Sequence, residues 1–548
     1  MDSLNLRSFV SVNFIWMKLA LPFILLITGC SNEDTNLKRS MPIREIRSYD
    51  EVNEFIVGQD DEVVFSGNHK DKPSLYKIKD DSIICIVDTG NYVFKPFNFQ
   101  GSYTGLADDN GNEEFKVLNK NLSLMLDGKS VDNIYTFDNG SFGVVKFKNS
   151  MDVYFLDFIN KRQIFLFKAN KLHSVVFSKK NNFIIASYDS TIIKIDISNS
   201  FYISEIGLNI SEEKLNLSIQ DDEIFFVNNS NSNFYQIYSI NLRHNTNARL
   251  LLRSDYDLRM PKVNNSQLYF IEIKNSEYLL KSVGLVNKKY KYITKNGVVY
   301  NYEFRGKDNL VFTYTNFITP RSLMTYKISS GSIKRLFGSE IDLNLKCNLV
   351  KRKNNKSCAF IYSPSKKAVI QGVILNFRPG VHSDFSPRWD LTLMSLCHNG
   401  YIIMSPNYPM STGYGKFFTN KGVRDAVSDI EFWKKYIEKN FNTVPIYFLS
   451  SSFGNVIMES YLLQGGNGPR AASTLFGIPN PNYKPSIPTL YILGRNDSRF
   501  NYDRESWLKL QKNRNISINA FDSEGHGFQN GKNERSAIET IIHHFTFN

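Results

Sequence analysis

The sequence predicts two unlike folded regions in one chain: an N-terminal all-β propeller, expected to have seven blades, and a C-terminal doubly wound α/β sheet. Three observations predict this. The chain has 548 residues, more than one hydrophobic core normally serves. Short strand–turn–strand segments recur roughly every 38 to 45 residues through the first 345, the period of a four-stranded blade. Beyond Cys347 the texture changes to continuous apolar runs alternating with amphipathic helical segments, the pattern of strands covered on both faces by helices.

The recurring unit is an apolar strand, a polar turn and a second apolar strand. It appears as LYKIKDDSIICIV from Leu75, FKVLNKNLSLML from Phe115, VYFLDFINKRQIFLF from Val153 and IIKIDISNSFYISEI from Ile192. It continues as IYSINLRHNTNARLLL from Ile237, LLKSVGLVNKKYKYI from Leu279 and LMTYKISSGSIKRLF from Leu323. Asn, Asp, Gly and Ser clusters separate these runs, and helical periodicity is nearly absent. A pair of β-sandwiches is the competing arrangement, because no WD-type blade signature accompanies the spacing.

In the C-terminal region, runs 369–376, 401–405, 446–449, 489–493 and 516–521 are expected strands. Segment 423–441 places Val423, Ala426, Val427, Ile430, Trp433, Tyr436 and Ile437 on one helical face. Further helices are expected near 455–464, 504–511 and 533–545. The expected layout is a signal segment at 1–30, a polar tether at 31–44, the propeller at 45–345 and the α/β domain at 346–548.

Composition fits a chain that folds in water. Hydrophobic residues make up 42% and charged residues 22%, near the averages for soluble globular proteins, which argues against a disordered chain and a polytopic membrane protein. The net charge of +13 is spread out, with no basic block longer than Lys351-Arg352-Lys353, so no nucleic-acid partner is expected. The five cysteines form no CxxC pair or Cys/His cluster, so no metal is expected.

The N-terminus carries a secretion signature. Lys18 precedes the apolar run 21–28, which is too short to span a bilayer as a helix, and the run ends in Ile27-Thr28-Gly29-Cys30. LITGC resembles a lipobox, which implies cleavage before Cys30 and lipidation of Cys30; a buried N-terminal helix is the alternative. Met17 opens MKLALPFILLITGC, a complete signal by itself. A lipid-anchored protein outside the cytoplasm is expected. In a Gram-negative cell, Ser31 after Cys30 resembles the sorting pattern for the periplasmic face of the outer membrane. In that compartment Cys347 and Cys358 are candidates for a disulfide, which spacing alone does not establish.

The chemistry lies in the α/β region, where functional groups gather at the C-terminal ends of the strands. The run IYFL leads into Ser450-Ser451-Ser452-Phe453-Gly454 and then a helix, the strand–turn–helix context of a nucleophile elbow. Small residues two positions either side of the nucleophile relieve crowding in that turn; Gly454 supplies one, and Ser450 stands in for the other. Asp497 follows the strand TLYILG, and His526 follows the next strand. Each motif alone is weak, since Ser-rich turns, loop aspartates and surface histidines are common. Together, Ser, Asp and His after successive strands give the chain order of α/β-hydrolases. Ser452 is then the nucleophile, His526 the base and Asp497 its orienting carboxylate. The oxyanion donors are expected to be the backbone N–H of Phe453 and that of Gly380 in the loop 377–383, since Pro379 has no N–H. No cofactor is required, because a triad generates its own nucleophile.

Several segments resemble the prolyl oligopeptidase family, particularly its acylaminoacyl-peptidase and dipeptidyl-peptidase branch. GYIIMSPNYPMSTGYGKFF from Gly400 is similar to the segment after that family's second motif strand, SSSFGN to its GxSxGG elbow, LGRNDSRF to its aspartate turn and EGHGF to its histidine loop. The resemblance covers about 346 to the C-terminus in detail, and the preceding propeller matches the family's architecture. It implies a serine peptidase acting on short peptides that reach a shielded site between the domains. Departures accompany it: RPGV at 378–381 where HGGP is usual, Ser450 and Asn455 in place of glycines, and only 45 residues from Ser452 to Asp497. Proline specificity is therefore not carried over. An esterase on the same machinery and a catalytically degenerate binding lipoprotein are the alternatives.

Overall fold

The computed structural model describes residues 49–548 apart from 59–60, 71, 81, 88–92, 109–114, 139, 149, 207–215, 244–246, 342, 354–356, 365–367, 466–467, 478–482 and 500–511. Cys30, the signal segment, the tether and the helix expected at 504–511 lie outside the described residues. No described helix is long and apolar enough to cross a membrane.

Residues 51–337 form successive antiparallel meanders spanning 51–87, 93–117, 131–168, 172–206, 218–252, 257–292 and 298–337. The last two are joined into one sheet by a single parallel pairing of Tyr278 with Val298. Tight polar turns make these hairpins. Asn265–Ser266 and Asn275–Ser276 both carry positive φ at two successive residues, the two-residue turn whose twist matches the strands it joins. Apolar clusters fill the spaces between neighbouring sheets, and one of them packs Val52, Phe65 and Ile78 of the first sheet against Val311, Leu323 and Phe337 of the last. The sheets thus close into a ring.

The first strands of all the meanders line a central cavity of about 1370 Å³. Side chains stitch neighbouring sheets together around it. Lys95 donates to Asn133, the Tyr135 hydroxyl to the His173 carbonyl at 3.2 Å, and the Leu217 amide to Ser174 Oγ at 3.4 Å. Ser218 donates to the Pro261 carbonyl, Lys262 to the Tyr302 carbonyl at 3.1 Å, and Arg321 to the Asn53 carbonyl at 2.9 Å. The Asn53, His173, Pro261 and Tyr302 carbonyls and the Leu217 amide on the cavity-lining segments thereby gain partners.

Six of the seven expected hairpins are found; the one from Phe115 is not. There the chain makes the short strand Lys116–Val117 and then the helix Lys120–Met125. Asn119 caps that helix by accepting the Leu122 amide, and Leu122 and Leu126 fall on its buried side. The run LSLML suits either structure, and the cap decides for the helix.

Residues 346–521 build an eight-stranded sheet. In sheet-internal sequence order the strands lie 1-2-4-3-5-6-7-8; the pairs 1-2 and 2-4 are antiparallel and the rest are parallel. Two large apolar cores cover its faces. One is closed by the helices Leu391–His398 and Gly531–Phe547, the other by Val423–Asn440 and Gly454–Leu463. The sequence pattern had no signal for the strand Ala471–Leu475, whose small residues Ala471, Ala472 and Ser473 are fully buried. Cys347 pairs across from Tyr362 and Cys358 across from Lys351. The two cysteines are therefore four residue steps apart, about 13 Å at ~3.3 Å per residue. That exceeds disulfide reach, and both thiols are free.

The ring is fixed to the α/β region mainly along one side. Ser276 Oγ meets the Tyr414 hydroxyl at 2.9 Å, Tyr278 donates to Asp384 at 2.7 Å, and the Trp389 amide donates to Thr315 at 3.1 Å. Another contact lies beside the histidine loop, where Gln529 Nε2 donates to Asp108 at 3.1 Å.

Candidate active site

Ser452 sits between the strand Ile446–Ser451 and the helix Gly454–Leu463, at φ 49°. This left-handed conformation costs a non-glycine residue energy and is held only by its surroundings. Here the Ser452 amide donates to the Leu475 carbonyl at 2.9 Å, and the Asn455 amide closes the turn onto the Ser452 carbonyl at 3.0 Å. Gly454 cannot be larger: a Cβ there would lie 2.4 Å from the Phe377 carbonyl oxygen and 2.7 Å from that of Arg378. The elbow therefore presses directly on the loop that holds Gly380.

The three residues expected to act together meet. The Ser452 hydroxyl donates to His526 Nε2 at 2.8 Å, and His526 Nδ1 donates to Asp497 Oδ2 at 2.7 Å. Accepting from Nδ1, the carboxylate selects the tautomer whose Nε2 lone pair faces the serine. The side chains of His526 and Asp497 are 7% and 6% exposed, dry enough to strengthen their contact. Asp497 Oδ1 also accepts the Arg499 amide at 3.0 Å.

Glu524, fully buried, anchors the histidine loop by accepting from the amides of Gln529 at 2.7 Å and Asn530 at 3.1 Å and from Asn533 Nδ2 at 2.8 Å. The Asn496 amide donates to the Glu524 carbonyl at 2.9 Å, which ties the aspartate turn to the histidine loop.

Among the described residues, neither the Phe453 amide nor the Gly380 amide donates a hydrogen bond within the chain. Gly380 adopts φ 74°, which suits glycine. Its carbonyl is held by Arg378, which sequence reasoning noticed only as a departure. Arg378 is fully buried, with Nη1 donating to the Gly380 carbonyl at 2.6 Å and Nε to Ser411 Oγ at 2.9 Å, and its guanidinium lies 4.6 Å from the Tyr408 ring centre. Burial lowers its pKa. The arginine thus braces the loop from within.

Two aromatic residues beside the histidine were also missed. The Phe476 ring centre is 6.1 Å from that of His526 and 4.8 Å from that of Phe528. Phe528 and Gln529 reach the floor of the central cavity, so the cavity ends at the histidine loop. Both lie in irregular segments next to strand ends, where periodicity carries no signal.

No family model matches this sequence, and no curated protein does. Solved structures do match. A prolyl endopeptidase aligns at TM-score 0.75 and 11% identity over 91% of this chain and 89% of its own. Oligopeptidase B from Leishmania major aligns at 0.72 and 11% over 91% and 87%, and a puromycin-hydrolysing peptidase from Mycobacterium tuberculosis at 0.72 and 11% over 91% and 94%. These alignments run through both halves of the chain: it has the two-domain fold of the prolyl oligopeptidases, a β-propeller joined to an α/β-hydrolase domain.

Proposed function

We propose that this protein is a serine hydrolase that cleaves short peptides or peptide-like amides through an acyl-enzyme, with a seven-bladed propeller restricting access. The observation that carries the reading is the continuous path from the Ser452 hydroxyl through His526 to Asp497, at 2.8 and 2.7 Å. In the reaction, His526 takes the serine proton as Ser452 attacks the carbonyl carbon. The free amides of Phe453 and Gly380 receive the developing oxyanion, and His526 returns the proton to the leaving amine. Water, activated by the same histidine, then releases the acyl group. Asp497 holds the imidazole in its working tautomer throughout.

The fold neighbours support the substrate class, since they are endopeptidases, an oligopeptidase and a puromycin hydrolase. The cavity floor at Phe528 and Gln529 supports access through the ring, which would favour short, unfolded chains. The lipid anchor at Cys30 and a location outside the cytoplasm belong to the same proposal; they rest on the LITGC segment alone. An ester substrate would use the same steps.

The test is active-site labelling of residues 31–548 by a fluorophosphonate, compared with Ser452→Ala. Labelling lost in the variant supports the reading. A folded wild-type protein that does not label would sink it in favour of a binding role.

A further inference from the structure

Two residues of the elbow depart from the small-residue pattern, and the structure gives them a shared use. Ser450 is fully buried, and its hydroxyl donates to Asn455 Oδ1 at 3.4 Å. Asn455 Nδ2 donates to Glu459 Oε1 at 2.9 Å, and the Tyr491 hydroxyl donates to that same oxygen at 2.7 Å. None of these four residues is more than 1% exposed. Space for Asn455 comes from Gly477, where an added Cβ would lie 2.7 Å from Asn455 Cβ. A glycine is thus needed at this contact, on the segment that faces the helix.

The row begins on the strand that delivers Ser452 and passes through the first turns of the helix behind it. It ends on the strand Thr489–Gly494, whose last carbonyl accepts the Asp497 amide at 3.3 Å. A buried carboxylate is costly unless its oxygens are hydrogen-bonded. Apolar side chains could fill this space with no such cost, so the polar row needs a reason beyond packing. Close packing holds one side of the elbow, at Gly454 against the Phe377 and Arg378 carbonyls; on the other side Ser450 and Asn455 join the strand to the helix by a hydrogen bond.

We propose that Ser450, Asn455, Glu459 and Tyr491 form a positioning relay that holds the nucleophile elbow in register with the strand leading to Asp497, so that Ser452 meets the His526–Asp497 pair. The relay rests on the hydrolase reading above. It has a counter-intuitive consequence: Asn455→Gly, which restores the usual small residue, impairs Ser452.

The experiment measures the fluorophosphonate labelling rate of the full mature chain as a function of pH, together with circular dichroism melting, for wild type, Asn455→Gly, Glu459→Gln and Tyr491→Phe. For Asn455→Gly and Glu459→Gln the labelling rate is expected to fall roughly tenfold to hundredfold, the scale of a misplacement of about 1 Å. The pH midpoint should stay in place, because the His526–Asp497 pair is untouched, and the folded fraction at the assay temperature should be unchanged. Tyr491→Phe keeps the volume and removes one donor, so a smaller fall is expected. Folded Asn455→Gly and Tyr491→Phe proteins that label at the wild-type rate overturn the relay and leave the hydrolase reading intact. If Asn455→Gly does not fold, Tyr491→Phe decides by the same criterion. A folded wild-type protein that fails to label overturns the hydrolase reading, and the relay with it.

Discussion

In the ring, each sheet is made from neighbours in sequence, and the apolar clusters are small: one joins Ile185 and Ile192 of the fourth sheet to Ile224 and Phe226 of the fifth, and the series repeats around the cavity. In the hydrolase sheet, by contrast, each of two large cores gathers residues from many elements, one of them reaching from Leu345 to Phe545. The difference sets how far a local change travels. The second sheet of the ring swaps an expected hairpin for the helix Lys120–Met125, and its neighbours keep their meanders. In the parallel sheet every strand supports the next, and Ser452, Asp497 and His526 follow three different strands. The proposed chemistry thus sits where the apolar cores are largest, and the proposed access control where modules repeat.

The contrast is open to attack from both sides. The largest effect is expected from Asp497→Asn, which leaves the cores intact but favours the wrong imidazole tautomer; turnover should fall by about 10⁴-fold with little change in melting temperature. An unchanged rate would remove Asp497 from the triad. Gly454→Ala should be next, because the new Cβ collides with two carbonyls of the Gly380 loop; overpacking of this kind costs about 1–3 kcal/mol, and labelling should drop with it. A variant that labels normally would mean that the elbow and the Gly380 loop are not coupled.

A smaller effect concerns the seam between the halves. Burial, with Asp390 and Glu51 nearby, pushes the Glu534 pKa up to about 8, and Arg535 opposes the shift while Glu524 adds to it. A carboxyl with a raised folded pKa keeps a proton that the unfolded chain has lost, so the stability it contributes is complete below about 4.5 and is lost as the pH rises through about 8. Glu534→Gln should therefore melt like wild type at acid pH and a few degrees higher at mildly alkaline pH. Equal melting curves across that window would show the carboxyl to be solvated. The smallest effect is expected from Tyr135→Phe, which removes one stitch of the ring, the 3.2 Å bond to the His173 carbonyl, and with it the acceptor for Asn133 Nδ2 at 2.9 Å; at about 0.5–1.5 kcal/mol per bond the loss should stay small. A much larger loss would show that the ring is less modular than its clusters suggest.

The sequence by itself determined the two textures and most of the hairpins, and it singled out Ser452, Asp497 and His526, which the fold brings into contact; these follow from local rules: period-two and period-3.6 patterning, turn chemistry, and strand ends that come in a fixed chain order. The helix Val423–Asn440 was legible for the same reason, through the apolar face that ends in buried Trp433 and Ile437. Only the tertiary structure decided the rest. The strand Ala471–Leu475 is too short and small-residued to announce itself, and it exists because partners on both sides supply its hydrogen bonds. Arg378 is a surface residue by composition and a buried brace in the fold, since its donors find Gly380 and Ser411 only once the loops meet. Asn455 reads as a defect in a motif until Gly477, distant in the chain, is seen to make room for it. Pattern reports what a residue prefers; the fold decides which partners, far apart in sequence, come near enough to satisfy it.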